Sequence, residues 1–316
     1  MALLSIIVPS YNEEANIYNT AGRLTQVLTE ADIPFEIVFV SDGSRDQTFD
    51  RVRELAAQDE RICGIEFSRN FGKEAAIFAG LKQAKGNCCV VMDCDLQHPP
   101  EVIPEMYRLW QQGYDIVEGV KSDRGEESGI HRLFANLFYG ILSRLMKMDM
   151  RDTSDFKLLD RKVMDVLLGL TERNTFFRAL TFWAGFSSVS VSYEVGERAF
   201  GTSKWSFRGL IRYAVSNTTS FTTAPLQLVT VAGGVFIAAA FVLGIQTLYN
   251  YFTHSAVEGF TTVILLILIV GGLLMISMGV IGHYIARIYE EVKGRPRYII
   301  AKDTAKEKGL HEKERE

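Results

Sequence analysis

The chain has 316 residues, 47% of them hydrophobic, enough for one large domain or two ordinary ones with a sizeable core. Its formal net charge of -4 provides no basic field of the kind that gathers nucleic acid, so a nucleic-acid partner is excluded. The apolar residues are unevenly spread, for no Asp, Glu, Lys or Arg occurs from Tyr213 to Val257, and after Glu258 the next is Arg287.

The N-terminal stretch MALLSIIVPSYNEE lacks a basic region and turns acidic at Glu13, which argues against a secretory signal. From there LSIIVPSY, EIVFVSDGS, ICGIEFS and CCVVMDCD read as short β-strands. Helical stretches such as DQTFDRVRELAAQD and KEAAIFAGLKQAKG lie between them. In the first, Phe49, Val52, Leu55 and Ala56 recur at helical spacing, with Ser44 or Asp46 as the N-cap. This alternation predicts βαβ units and a mostly parallel sheet, in which ligands gather beyond the carboxyl ends of the strands. Those ends carry Pro9 to Glu13, Ser41 to Ser44, Ser68 to Asn70, and Asp93, Asp95 and Gln97.

The fourth strand runs into DCDLQHPP. If it stays extended, Asp93, Asp95 and Gln97 project to one side. Two carboxylates so close repel unless a cation lies between them, and Mg2+ or Mn2+ bound by carboxylates and phosphate oxygens is the natural solution. The spacing alone also suits a solvated turn, and position on the rim is what favours the metal. No GxGxxG and no GxxxxGK[ST] occurs, so no glycine-rich loop is available for phosphates. Cys63, Cys88, Cys89 and Cys94 have no metal-binding spacing and read as small buried residues. Arg69 and Lys73 are as well explained by a solvated basic face as by ligand binding.

Beyond the strand-like DIVEGV, residues 130–148 combine apolar side chains with His131, Arg132, Arg144 and Lys147, in keeping with either an interfacial helix or one packed on the domain. Trp205, Phe207 and Tyr213, with two arginines, mark a second interfacial helix before two apolar runs, Leu226 to Phe252 and Phe260 to Ile285. Each run exceeds the ~20 residues needed to cross a bilayer. Arg208 and Arg212 precede the first run and Arg287, Lys293, Arg295, Arg297 and Lys302 follow the second, while the loop from Thr253 to Gly259 has neither Lys nor Arg. The positive-inside bias therefore predicts an integral inner- or plasma-membrane protein with both termini and the large domain cytoplasmic. Gly234 with Ala238 and Ala240 with Gly244 give small-xxx-small spacing that suits a homo-oligomer. The expected divisions are a cytosolic domain at 1–205, a juxtamembrane helix at 206–225, two spans within 226–288 and a cytosolic tail at 289–316, mobile after Arg297.

In this order and ahead of two spans, the motifs IIVPSYNEE, VSDGSRDQT, SRNFGKEAA, DCDLQHPP, DTSDFKLLDR and ERAFGTSKW resemble glycosyltransferase family two. The similarity is to its polyprenyl-phosphate branch, the dolichol-phosphate mannose synthases and bactoprenol glucosyltransferases. NFGKE and DFKLLDR lie nearer the latter. The resemblance covers almost the whole chain. It implies an α/β GT-A fold with a Rossmann-like sheet, a nucleotide-sugar donor, a divalent metal and a lipid phosphate acceptor. It also implies that Pro9, Tyr11, Glu13 and Asp42 hold the nucleotide, and that Asp93, Asp95 and Gln97 meet metal and diphosphate. Two positions depart from the usual pattern, Cys94 inside the acidic motif and Ser154 where glycine is common before the aspartate.

Asp155 falls at the position of the family's catalytic aspartate, either orienting the acceptor or taking a residual proton, with turn formation as its plain structural role. A phosphate acceptor needs cations, for which Arg124, Arg132, Arg198 and Lys204 are the candidates; Arg132 equally suits anionic headgroups. The resemblance thus implies inverting transfer of a hexose, from UDP-glucose or UDP-N-acetylglucosamine, to undecaprenyl phosphate at the cytoplasmic face. The product would be a lipid-linked sugar for cell-envelope glycosylation. A GDP-mannose-dependent synthase is the nearest alternative, and a non-catalytic nucleotide-sugar-binding partner is an alternative of another class. A processive polysaccharide synthase is disfavoured, because QxxRW is absent and only two spans are present.

Overall fold

The computed structural model describes residues 2–122, 154–172, 175–194, 224–253 and 259–307. The chain divides into two compact units, one of Met1–Lys204 with Pro296–Glu316 and one of Trp205–Arg295.

In the first unit, β1 (Leu4–Ser10), α1 (Ile17–Glu30), β2 (Phe35–Ser41), α2 (Thr48–Gln58), β3 (Ile62–Phe67), α3 (Lys73–Gln83) and β4 (Cys88–Val91) follow the predicted alternation. A 3-10 turn (Pro100–Val102), α4 (Ile103–Gln111) and β5 (Ile116–Lys121) come next. After them come β6 (Lys157–Asp160), α5 (Arg161–Gly169), α6 (Phe177–Trp183) and β7 (Ser188–Tyr193), and β8 (Ile300–Asp303) closes the set. The strands form one sheet in the order β7-β5-β6-β4-β1-β2-β3-β8. β1, β2, β3 and β4 run parallel, so their carboxyl ends share one edge, whereas β6 is antiparallel to both β4 and β5.

The strand residues alternate between two buried faces. Ile37 and Phe39 join the core beneath α1, while Val38 and Val40 join Ala75, Ala76 and Ala79 of α3 on the other side. Burial on both faces explains why the parallel strands are near-continuously apolar. In α2, Phe49, Val52 and Ala56 face inward; the N-cap is Gln47 and not Ser44 or Asp46, though Asp46 accepts the Thr48 amide at 3.1 Å. Cys88, Cys89 and Cys94 are buried free thiols. Burial pushes the Cys89 and Cys94 thiols up to about 12, so neither is a reactive thiolate near neutral pH.

Two further expectations are corrected. β4 ends at Val91, so Asp93, Asp95 and Gln97 do not lie on a strand; they sit in a turn where Leu96 has φ 58° and Asp95 Oδ1 accepts the Gln97 amide at 3.1 Å. Residues 298–307, beyond Arg297, are also ordered, because β8 pairs antiparallel with β3 and Thr304 Oγ1 accepts the Gly64 amide at 2.9 Å. Lys302 pairs with Glu66 at 2.6 Å, and the Arg297 guanidinium donates to the Leu170 carbonyl, so both cations serve this unit.

The second unit holds α7 (Ala224–Phe252) and α8 (Phe260–Val292). Windows Val229–Gln246 and Ile269–Val292, of mean hydropathy 2.1 and 1.8, make both helices candidate membrane spans by length and composition. α7 has 29 residues; at ~1.5 Å per residue it is about 43 Å long, ample for a hydrocarbon core of ~30 Å. Gly234 and Gly244 have nothing within 4 Å of where a Cβ would stand. The interfacial helices predicted around residues 130–148 and 206–223 lie outside the described residues.

Gly43, just past β2, has φ 63°, and a Cβ there would lie 2.3 Å from the Arg69 carbonyl carbon. This close approach lets the β2–α2 and β3–α3 loops touch on the rim. Gly43→Ala is expected to destabilise the protein by about 1–3 kcal/mol. Gly22→Ala in α1, with nothing within 4 Å, should be neutral or stabilising by up to ~1 kcal/mol. Thermal unfolding of the detergent-solubilised chain, followed by tryptophan fluorescence, checks both; an unchanged midpoint for Gly43→Ala refutes the tight approach.

Candidate active site

The parallel strand ends open into a cleft of about 310 Å3 lined by Pro9, Ser10, Tyr11, Glu13, Asp42, Asn70, Gly72, Lys73, Ala76, Asp93, Cys94 and Asp95. Pro9, Tyr11, Glu13 and Asp42, expected at the nucleotide, and Asp93 and Asp95, expected at metal and diphosphate, therefore share one cavity. Its rim is stitched by side chains from neighbouring loops. Asn12 Oδ1 accepts the Arg45 amide at 2.9 Å, Thr48 Oγ1 accepts the Glu13 amide at 2.9 Å, and Glu14 Oε2 accepts the Gln47 amide at 3.0 Å. Such bonds satisfy loop amides that no sheet or helix reaches.

Asp42 is buried, and its carboxylate accepts the amides of Phe71 at 2.6 Å and Gly72 at 2.9 Å. Burial raises its pKa, and the two amides and Arg69 lower it in part. Its first task is thus to hold the β3–α3 loop, which delivers Lys73. Glu13 accepts from Asn16 Nδ2 at 2.5 Å, and its pKa is raised by burial and then by the charges of Asp95, Asp93 and Asp46.

In the acidic turn Cys94 points into the core, where its backbone carbonyl accepts from Thr20 Oγ1 at 2.7 Å, and the flanking aspartates line the cleft. Among the described residues no three His, Cys, Asp or Glu side chains are grouped closely enough to hold a metal unaided. The donor set still fits a hard cation, since Asp93 and Asp95 offer carboxylate oxygens in a cleft where, after burial, their charges help to raise the pKa of Glu13. One or two carboxylates completed by phosphate oxygens is the usual arrangement for such ions. Gln97 is half-buried beside Asp95 and is not among the lining residues.

Beneath the turn lies His98, whose Nδ1 accepts the Asp93 amide at 3.2 Å. Its ring stacks on Phe156 at 4.9 Å and meets Tyr193 edge-on at 5.9 Å. Burial lowers its pKa, so it stays neutral near pH 7 and serves as an acceptor that fixes the Asp93 backbone.

The remaining charge is organised by Asp155, whose side chain is 7% exposed. Lys73 Nζ lies 2.7 Å from Asp155 Oδ2 and 2.6 Å from Asp93 Oδ1, bridging the two carboxylates. Arg178 forks onto Asp155 from the other side, with Nε 2.6 Å from Oδ1 and Nη2 3.0 Å from Oδ2. Burial opposes ionisation of Asp155, but Lys73 and Arg178 outweigh it and hold its pKa far below the usual carboxylate range. A carboxylate so held has little affinity for a proton, which favours orientation over base catalysis in the choice the sequence left open. Glu74 anchors α6 through the Phe177 amide at 2.8 Å, and burial, reinforced by Asp155, pushes its pKa up to about 7. Buried Lys157 ties the same helix to the sheet, reaching Glu118 at 2.9 Å and Thr181 at 3.1 Å. Ser154 suits its turn: its hydroxyl donates to the Gly119 carbonyl at 2.6 Å and accepts the Phe156 amide at 3.2 Å.

Arg124, Arg132, Arg198 and Lys204, expected at the acceptor, lie outside the described residues. Sequence reasoning missed His98, Glu74 and Arg178 and left Lys73 evenly balanced. A lysine opening the apolar helix KEAAIFAG, and a lone arginine in FFRALTFW, were the available signals.

The profile of Glycosyl transferase family 2 matches residues 5–167. An uncharacterized glycosyltransferase of Bacillus subtilis (strain 168), YkcC, is 40% identical over 300 residues, 94% of this chain and 93% of that protein. The SfII prophage-derived bactoprenol glucosyl transferase of Shigella flexneri is 38% identical over 304 residues, 95% of this chain and 97% of that protein. Among solved structures, glucosyl-3-phosphoglycerate synthase from Mycobacterium tuberculosis, in complex with Mn2+, UDP and phosphoglyceric acid, aligns at 19% identity and a TM-score of 0.47, covering 64% of this chain and 72% of that one.

Asp155→Asn keeps the shape but leaves Lys73 and Arg178 without their shared anion. Loss of one partner from a buried pair costs ~3–5 kcal/mol, and partial exposure of both cations reduces the expectation to about 1–3 kcal/mol at pH 7. Because the folded pKa is depressed, the wild-type advantage is complete above the unfolded value of ~3.9 and shrinks as pH falls below it toward the folded value. Melting curves of both proteins between pH 7 and pH 3 check this; equal midpoints at pH 7 refute it.

Proposed function

The chain belongs to glycosyl transferase family 2, and from that premise we propose that it transfers a hexose from a nucleotide sugar to undecaprenyl phosphate at the cytoplasmic face of the membrane. The observation that carries the proposal is one cleft with an acidic wall, Asp93 and Asp95, adjoining a cationic pair, Lys73 and Arg178, held by Asp155. The name of the Shigella flexneri relative, spanning nearly this whole chain, supports bactoprenol as acceptor and glucose as sugar. UDP-glucose is accordingly the favoured donor, ahead of UDP-N-acetylglucosamine and GDP-mannose. Two candidate spans suit a lipid acceptor, since withdrawing an isoprenoid from the bilayer costs about 0.8 kcal/mol per CH2. The two spans, with small residues at Gly234 and Gly244 open to contact, also suit a homo-oligomer.

Pro9, Tyr11, Glu13 and Asp42 take the nucleotide at the ends of β1 and β2. Asp93 and Asp95, with Gln97 adjacent, would hold a divalent cation, which when bound would supply charge neutralisation for the diphosphate. Lys73 adds a point charge on the same side. An oxygen of the acceptor phosphate attacks the anomeric carbon and forms the new C–O bond. The C–O bond to the nucleoside diphosphate breaks on the opposite face, taking its electron pair with it and inverting the configuration. A phosphomonoester has a second pKa of about 6 and is mostly dianionic at neutral pH, so no strong base is needed. Asp155 accordingly aligns cations toward the acceptor, together with Arg124, Arg132, Arg198 and Lys204.

Purified protein given undecaprenyl phosphate, Mg2+ or Mn2+ and radiolabelled UDP-glucose, UDP-N-acetylglucosamine or GDP-mannose in turn should move label from UDP-glucose into the organic phase. Asp95→Asn should cut that transfer by about 100-fold or more, in line with loss of a charge-stabilising group, while still inserting into membranes. No lipid-linked label from any of the three donors would sink the proposal.

A further inference from the structure

Lys73 stands where its own helix disfavours it. It opens α3, where aligned peptide dipoles present partial positive charge, so its placement runs against the local field. Tertiary contacts hold it there, for Nζ reaches Asp93 Oδ1 at 2.6 Å and Asp155 Oδ2 at 2.7 Å. Asp93 thus already has a cation, supplied by the chain itself. An ammonium and a divalent ion on the same carboxylate would repel strongly at contact distance. The lysine is also able to move, since its stem is flexible and its side chain is 40% exposed.

We propose that Lys73 and the divalent cation are alternative partners of Asp93, so that metal enters with the nucleotide diphosphate and not before it. Without nucleotide, Lys73 occupies Asp93 and the cleft does not collect metal. A diphosphate in the cleft offers the ammonium new oxygens, and an ammonium is a good phosphate partner. Lys73 then turns from Asp93 to the leaving group while its ammonium keeps the contact with Asp155, and the freed carboxylate takes the metal. Metal and nucleotide consequently strengthen each other's binding by the same factor. The inference rests on the metal-assisted transferase function proposed above.

The test is Mn2+ binding by the full-length protein in detergent, read from the electron paramagnetic resonance signal of free Mn2+, alone and with saturating UDP or GDP. Wild type should bind Mn2+ at least about tenfold more tightly with one of the nucleotides than without. Lys73→Met, shown folded by its melting curve, should bind Mn2+ alone at least about tenfold more tightly than wild type and lose most of the nucleotide effect. Arg69→Met removes a charge from the same loop without touching Asp93, and should change Mn2+ affinity less than about threefold. Wild type binding Mn2+ equally well with and without nucleotide overturns the proposal without recourse to any variant. Unchanged affinity in Lys73→Met, or an equal gain in Arg69→Met, overturns it too, while nucleotide-promoted binding by wild type leaves the transferase function standing. Absence of Mn2+ binding in every form with either nucleotide overturns metal assistance itself, and the inference with it.

Discussion

The buried carboxylate of Asp155 is the point on which the rest of the site depends. A charge with so little exposure is tolerated only when it is paired and hydrogen-bonded. Here the partners come from two helices, Lys73 from the start of α3 and Arg178 from α6. One anion therefore fixes the separation of two elements that the sheet alone would not align. Lys73 extends the link to Asp93, so the acidic turn after β4 is tied into the same network. Glu74 and Lys157 brace α6 from either side, which keeps the Arg178 fork in register with its carboxylate.

Topology explains why this network faces a cleft. Four parallel strands bring their carboxyl ends to one edge, and the loops that follow must satisfy their own amides there. Asp42 shows the consequence. Placed just after β2, it spends both oxygens on the loop that carries Lys73, so the nucleotide recognition proposed for it and the placement of that cation are mechanically joined. Gly43 lets that loop come close, and His98 performs the matching service for the backbone of Asp93. The cleft is assembled by polar residues that hold loops before they hold ligands.

Much of this was legible in the sequence, and the exceptions share a cause. The first four strands and their helices follow from apolar runs and helical spacing, which are local signals. Grouping Asp93 with Asp95 was right although the extended-strand argument for it was not: Leu96 adopts a left-handed conformation that breaks the strand, and a turn delivers both carboxylates instead. KLLD and IAKD, each only four residues, form β6 and β8 because of partners far along the chain. β6 sets Lys157 opposite Glu118, and β8 is clamped by Lys302 on Glu66 and Thr304 on Gly64. No local pattern announces such pairings. Arg178 and Glu74 were missed for the same reason, since each acquires meaning from a residue many positions away. Asp155 was identified through the motif around it, and the motif is silent on how its charge is held.

That charge bears on the chemistry proposed for the cleft. A hydroxyl acceptor must lose a proton as it attacks, and a site serving one needs a base with real affinity for that proton. Asp155, gripped by an ammonium and a forked guanidinium, is poorly suited to that task. A phosphate acceptor brings its charge with it and needs cations around it more than a base. The same grip that disqualifies Asp155 as a base makes it an effective mount for cations, because a fixed anion pre-orients Lys73 and Arg178 and lowers the reorganisation required when another anion arrives. Within the proposed reaction the buried aspartate is therefore best understood through its partners, which it keeps positioned between a departing diphosphate and an incoming phosphate.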